Sequence, residues 1–363
     1  MPSPPRLIAH IDMDAFFASM EALDHPEWAG QPIVVCVFSG RTEESGVVSS
    51  ASYDARQLGV KAGMPIVTAK QKCPSGHFVP VNHARYSAVS ESIFSKLWGV
   101  GSIVEVASID EAYVDLSSRV NGSWEKAEQS MRDFQSMIKR EFSLSCSVGI
   151  GPNKLVAKIA SDFQKPNGFT IVRPEGVSAF LDPLPVNKLL GVGPKTEDIL
   201  SSHSIRTVSD LRITGLSELV SWLGAAKGQY LFFSSRGMDE SLLESDRERK
   251  QHSKIWTLKK DAQSFDATTM EVSPNADELW EETAGKGQYF TQIGVLGVSS
   301  RMNQSSKSKT LVLPCASREQ FGKELDELFP QLFDSADLPL RRVGIRVSGF
   351  SSAPKQKRLF DFS

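Results

Sequence analysis

RLIAHIDMDAFFASMEAL, residues 6–23, reads as a buried strand running into a helix. Its first part (RLIAHID, 6–12) is a short apolar run, and 14–23 (DAFFASMEAL) carries a helical pattern with an acid at its start. The alternation continues: 32–38 (PIVVCVF), 78–81, 103–109, 112–116 and 145–150 (SCSVGI) read as strands. Helices are expected at 83–98 and from Asn153 to Phe163. Another is marked by Trp124, Ala127, Met131, Phe134, Ile138 and Phe142, spaced three and four apart. Strands alternating with helices over the first 170 or so residues predict a sheet with helices on one face, an α+β layer.

The pattern changes after Pro174. Residues 175–240 carry short helical stretches broken by Gly and Pro, and 241–253 (SLLESDRERKQHS) reads as a linker. Beyond it, 254–259, 293–299, 310–314 and 341–348 are expected strands, and a helix at 318–333 aligns Phe321, Leu325, Leu328 and Leu332. With 363 residues and 40% hydrophobic content the chain is too long for one core. The four cysteines form no CxxC pair, so disulfide or zinc frameworks are not expected. No apolar leader or membrane-length run is present, which predicts a cytoplasmic chain without membrane association. Although the net charge is −2, residues 247–260 and 341–358 each hold six Lys or Arg. Either run alone fits solvated surface; together they point to a polyanion partner.

Asp12 and Asp14 stand at the end of the first strand, and Asp110 and Glu111 in VASIDEAYVD (106–115) follow another. Asp14 also suits a helix cap, and a surface hairpin would equally account for adjacent acids. Brought together, Asp12, Asp110 and Glu111 would repel without a cation, and their oxygen ligands suit Mg²⁺, in single or paired sites.

IDMDAFFASME, SYDARQLGVKAGMP, ASIDEAYVDL, SVGIGPNKLVAKIASDFQKPNG and LLGVGPKT occur in that order. The series resembles the Y-family DNA polymerases, in the branch of DNA polymerase IV. The resemblance implies a multidomain α+β right hand with a ferredoxin-like palm (1–15 and 82–172) and small fingers (16–81). It further implies a helical thumb with a helix-hairpin-helix turn (173–240), a basic linker (241–253), an α/β little finger (254–350) and a tail (351–363). The activity implied is template-directed, distributive, low-fidelity synthesis across DNA damage. Two Mg²⁺ ions would be held by Asp12, Asp110, Glu111 and the Met13 carbonyl, with Glu111 completing the catalytic site. The nucleotide would meet Tyr53, Arg56 and Lys165 at its triphosphate and Phe16 and Phe17 at its sugar, Phe17 being the steric gate and Phe16 largely core.

Primer–template DNA would be gripped through Gly191, Gly193 and Lys195, and through Arg247, Arg249, Lys250, Lys254, Arg341, Arg342 and Arg346. In the tail QKRLFDFS (356–363), Gln356, Leu359, Phe360 and Phe362 resemble a peptide that docks on a sliding clamp, of the PCNA or the bacterial type. The enzyme is expected to act as a monomer. Ala15 departs from the Tyr or Phe common in relatives. Two rivals remain: a nucleotidyl cyclase would need neither the GVG turn nor the basic C-terminal third, and a silent DNA-binding scaffold would not need all three acids.

Overall fold

Strand β1 (Ile8–Met13) is buried along its whole length, because both faces of the sheet that it centres are covered. It leads into helix α1 (Phe16–Asp24). A small sheet follows, built from β2 (Ile33–Phe38), β3 (Gly46–Ala51) and β4 (His77–Pro80) in the order β3-β2-β4, with short helices α2 (Tyr53–Gln57) and α3 (Ile66–Lys72). Next come α4 (His83–Ser95), β5 (Ile103–Val106), β6 (Glu111–Asp115), α5 (Trp124–Phe142), β7 (Cys146–Gly151), α6 (Lys154–Phe163) and β8 (Phe169–Ile171). The main sheet has the order β5-β6-β1-β7-β8, with β1 antiparallel to both neighbours. The computed structural model describes residues 6–245 and 249–351. By contact the described chain forms two units: 6–36, 48–64 and 69–245, and 37–47, 65–68 and 249–351.

Helix α5 buries Ala127, Met131, Phe134 and Ile138, the stripe expected from the spacing. They share one core with Leu7, Ala9, Ile11 and Met13 and with Tyr86 and Ile93 of α4. Ile8, of opposite parity, packs instead on Tyr113 and on Ala157 of α6. Helices therefore cover both faces, where the sequence had suggested one. The cause lies in SVGIG: a Cβ on Gly149 would fall 2.1 Å from the Ala157 carbonyl oxygen, so only glycine admits the α6 backbone this close to β7. Gly149→Ala is expected to cost on the order of 3 kcal/mol, read as a lowered denaturant midpoint.

Helix α6 starts as the sequence indicated: Asn153 accepts from the Val156 amide at 3.0 Å, a side-chain cap. Its outer face packs Leu155, Val156 and Ile159 against a helical segment of α7 (Val177–Leu181), α8 (Pro194–Ser202), α9 (Val208–Ile213), α10 (Leu216–Leu223) and α11 (Ala225–Ser234). The stretch expected to be a free linker is tacked down at its start. Leu243 is buried on Ile8, Tyr113 and Ala157, and the Glu244 amide donates to Glu105 at 3.0 Å.

The second unit holds β9 (Gln251–Ala262), α12 (Thr269–Glu282), β10 (Tyr289–Ser299), β11 (Gln304–Thr310), α13 (Arg318–Ser335) and β12 (Leu340–Ser351). The sheet is antiparallel, in the order β11-β10-β12-β9. Phe321, Leu325, Leu328 and Leu332 of α13 meet Val343, Ile345 and Val347 in its core. Two expectations shift. The strand placed at 310–314 lies at Gln304–Thr310, a polar edge strand that alternates half-buried and exposed residues, and the apolar LVLP after it is loop. Helix α12 went unforeseen because Pro274 stands inside it and reads as a break. Among the described residues no helix is long and apolar enough to cross a membrane, and all four cysteines are free and buried.

Candidate active site

The register of β1 against β6 sets Asp12 directly opposite Glu111, and the Met13 amide donates to the Asp110 carbonyl at 2.9 Å. Residues 97 and 99 positions apart in sequence thus stand side by side at one end of the sheet. The two carboxyls perturb one another. Burial pushes Asp12 up to about 7, against the pull of Lys165 and helped by Glu111 beside it. Burial alone would push Glu111 up too, but Lys158, with Asp12 beside it, outweighs burial and holds Glu111 below the ordinary carboxylate range. Of the two, Asp12 is therefore the carboxyl on which burial favours a proton.

Positive charge already surrounds the pair. Lys158 Nζ lies 2.6 Å from Glu111 Oε2, and Lys165 Nζ lies 2.6 Å from Asp12 Oδ2. Lys158 had not been singled out in the sequence, although it sits in the motif that carries Lys165. His10, fully buried, is another residue missed. Its Nδ1 is 2.7 Å from Ser161 Oγ, while that hydroxyl donates to the Lys158 carbonyl, so Nδ1 carries the proton. Its Nε2 lies 3.8 Å from Glu111 Oε2, beyond hydrogen-bond range.

Asp14 does not cap α1; the residue at that position is Ala15, and no side chain caps the helix. The Asp14 carboxylate instead accepts from Ser147 Oγ at 2.8 Å and from the Asn167 amide at 2.8 Å, while Ser147 Oγ accepts from the Gly168 amide. Buried Asp14 thus fixes the KPNG turn that carries Lys165. Tyr53, whose hydroxyl is pushed up to about 12 by burial and by the Asp14 charge, points at the same carboxylate from 3.5 Å.

Asp110 is near but turned away: Ser108 Oγ donates to its carboxylate. Among the described residues no group of three His, Cys, Asp or Glu side chains stands close enough together to hold a metal. The three-acid cluster expected from the sequence is therefore two acids paired and a third rotated onto Ser108. The donor chemistry nevertheless fits a hard divalent cation. All the candidate ligands are oxygens, and the adjacent carboxyls already draw two ammonium groups.

Beside the acids lies a cleft of about 530 Å³ lined by Phe17, Ser49, Ser50, Ala51, Arg56, Val60, Lys61, Ala62 and Asp110. The α2 turn puts Arg56 over the Tyr53 ring, 5.0 Å from its centroid, and Arg56 Nε donates to the Ala51 carbonyl. Phe17 is held by stacking on Tyr86, ring centroids 4.4 Å apart. Phe16, 2% exposed, is core and is withdrawn from the nucleotide contacts. A larger cleft of about 610 Å³ on Tyr113, Leu155, Leu190, Tyr230 and Phe233 lacks all three motif acids.

The GVG turn enters α8 with Gly191 at φ +82°, which suits glycine. Gly193 stands at the N-cap and Lys195 in the first turn, so backbone N–H groups and one cation face outward together. In the second unit strand parity sorts the basic residues. Arg342 and Arg346 share parity on β12 and alternate with buried Val343, Ile345 and Val347. Lys254 pairs with Ile345 across β9 and lies on the helix side, bound to Glu278 and Glu282. It is withdrawn from the phosphate contacts, while Arg341 is half-buried at the irregularity of β12 between Leu340 and Arg342. Arg249 and Lys250 are exposed. Arg247 and Gln356, Leu359, Phe360 and Phe362 lie outside the described residues.

Comparison with known proteins agrees with this layout. Residues 11–162 match the impB/mucB/samB family, 249–359 its C-terminal domain, and 187–239 the thumb domain described for DNA polymerase-iota. The chain belongs to the Y family of DNA polymerases, in the DNA polymerase IV branch, and is a DNA-directed DNA polymerase. It is 35% identical to DNA polymerase IV of Nitrosopumilus maritimus, covering 98% of this chain and 99% of that one. Identity to DNA polymerase IV of Xanthomonas campestris is 37%, covering 97% and 96%. Among solved structures, a Y-family chimera named Dbh-Dpo4(243-245)-Dbh superposes with a TM-score of 0.88 at 32% identity, covering 94% of this chain and 98% of the chimera. An insertion ternary complex of Dbh DNA polymerase superposes with a TM-score of 0.67 at 31% identity, with the same coverage.

Proposed function

We propose that this polymerase extends primers across damaged templates by two-metal nucleotidyl transfer, with Asp12, Asp110, Glu111 and the Met13 carbonyl as the ligands of two Mg²⁺ ions. The observation that carries the reading is the Asp12–Glu111 pair at one end of the sheet, with Asp110 lining the adjoining cleft. When bound, Mg²⁺ makes the primer 3′-hydroxyl a better nucleophile and takes up charge on the triphosphate. Arg56 offers a planar fork to the triphosphate oxygens, and Tyr53 and Lys165 add further donors. Phe17 underlies the sugar, where a 2′-hydroxyl would collide with its ring.

Gly191, Gly193 and Lys195 hold duplex DNA by its backbone, and Arg249, Lys250, Arg342 and Arg346 add phosphate contacts that carry no sequence preference. Such a grip, beside small fingers, fits a distributive enzyme with little checking of the base pair. Primer extension with Mg²⁺ on undamaged and lesion-bearing templates tests the function. Incorporation that follows the template base is expected; product made without a template would favour a cyclase instead.

The tail supplies a tether to a sliding clamp through Gln356, Leu359, Phe360 and Phe362. A tether raises the effective concentration at the primer end without any change in chemistry. Deleting 356–363 is expected to leave clamp-free extension unchanged and to abolish clamp stimulation of about tenfold or more. Equal stimulation of full-length and truncated enzyme would remove the tether from the account.

A further inference from the structure

The two lysines at the acids differ in what else they hold. Lys158 Nζ grips Glu111 Oε2 at 2.6 Å from within α6. Lys165 Nζ, just past the end of α6, is shared between Asp12 Oδ2 and Asp162 Oδ1, both at 2.6 Å. Asp12 is nearly buried while Asp162 is exposed (side chains 9% and 45%). Lys165 can therefore release Asp12 without losing its only counter-charge. The backbone beneath it is fixed, because Asp14 binds the Asn167 amide and Ser147 binds the Gly168 amide. Any movement is confined to the lysine side chain.

An ammonium bound to Asp12 Oδ2 and a divalent cation seeking the same carboxylate exclude each other by like-charge repulsion and by competition for oxygen lone pairs. We propose that Lys165 is an exchangeable counter-ion that couples nucleotide binding to metal binding. It occupies Asp12 while the site is empty and frees that carboxylate for the metal when triphosphate oxygens draw the ammonium away. This inference rests on the assignment of Lys165 to the triphosphate made above. Linkage then works in both directions: nucleotide tightens metal binding, and metal, by displacing Lys165, presents its ammonium to the nucleotide. Lys158 removes the same charge from the neighbouring acid when substituted, yet has no assigned place on the triphosphate, and so serves as the internal comparison.

The test measures Mn²⁺ binding directly, from the electron paramagnetic resonance signal of the free ion. The full chain is bound to a primer–template with a 3′-deoxy primer end, with and without a deoxynucleoside triphosphate whose α,β-bridging oxygen is NH. Without nucleotide, Lys165→Met is expected to bind Mn²⁺ about fivefold or more tightly than wild type. Added nucleotide should then enhance its Mn²⁺ affinity less than it does in wild type. Lys158→Met should also bind Mn²⁺ more tightly, but keep the wild-type enhancement. Lys165→Gln is a second variant should the methionine disturb folding. Equal Mn²⁺ affinity in wild type and Lys165→Met, or undiminished enhancement in that variant, would overturn the exchange. So would an equal loss of enhancement in Lys158→Met, which would reduce the effect to general electrostatics. Failure of every form to bind Mn²⁺, even with nucleotide, would overturn the metal assignment and the exchange with it.

Discussion

Asp110→Ala and Glu111→Ala are each expected to slow single-turnover primer extension by about a thousandfold or more, with little effect on folding or DNA affinity. Neither acid holds the core together. Asp110 meets Ser108, and Glu111 is a quarter exposed with a lysine partner. Removing Glu111 leaves Lys158 without its carboxylate, a cost confined to a half-buried pair. Thermal melting and DNA binding measured beside the rate separate chemistry from structure. Extension at near wild-type rate in either variant would contradict the assignment of the acids.

Phe17→Ala is expected to relax discrimination against ribonucleotides by about a hundredfold. The ring lines the cleft next to Asp110 and cannot yield, because Tyr86 stacks on it and His83 meets its edge at 6.0 Å. Behind it, the hydroxyl of fully buried Tyr86 donates to Glu21. The fold should survive the substitution, since the ring is only half-buried. The measurement is the ratio of deoxy- to ribonucleotide incorporation efficiency in wild type and variant. An unchanged ratio would place the sugar contact elsewhere.

What was legible in the sequence follows from how local each signal is. Helix α5 could be read because its buried face recurs at three and four residues, and its ends fall where the pattern ends. Asp12, Asp110 and Glu111 stood out because acids interrupt or follow apolar strands. The roles of Asp14, His10 and Lys158 could not be read this way. The bonds of Asp14 reach residues 133 and 153 positions away, and Lys158 meets Glu111 across 47. Only the assembled sheet makes them neighbours. Other misses had usable signals. On β12, Arg342 and Arg346 alternate with Val343, Ile345 and Val347, which already marked the face that carries them. The two glycines of SVGIG marked the close approach of α6, and with it the second helical layer.

The central claim is that acids from β1 and β6 gather the metal ions for nucleotidyl transfer. Anomalous scattering from Mn²⁺ in crystals grown with primer–template and a non-hydrolysable nucleotide tests it most directly. Two peaks ~3.5–4 Å apart, within ligand distance of Asp12, Asp110 and Glu111 and with Asp110 turned off Ser108, are the predicted result. Mn²⁺ bound elsewhere, with Asp12 and Glu111 still held by their lysines, would contradict it.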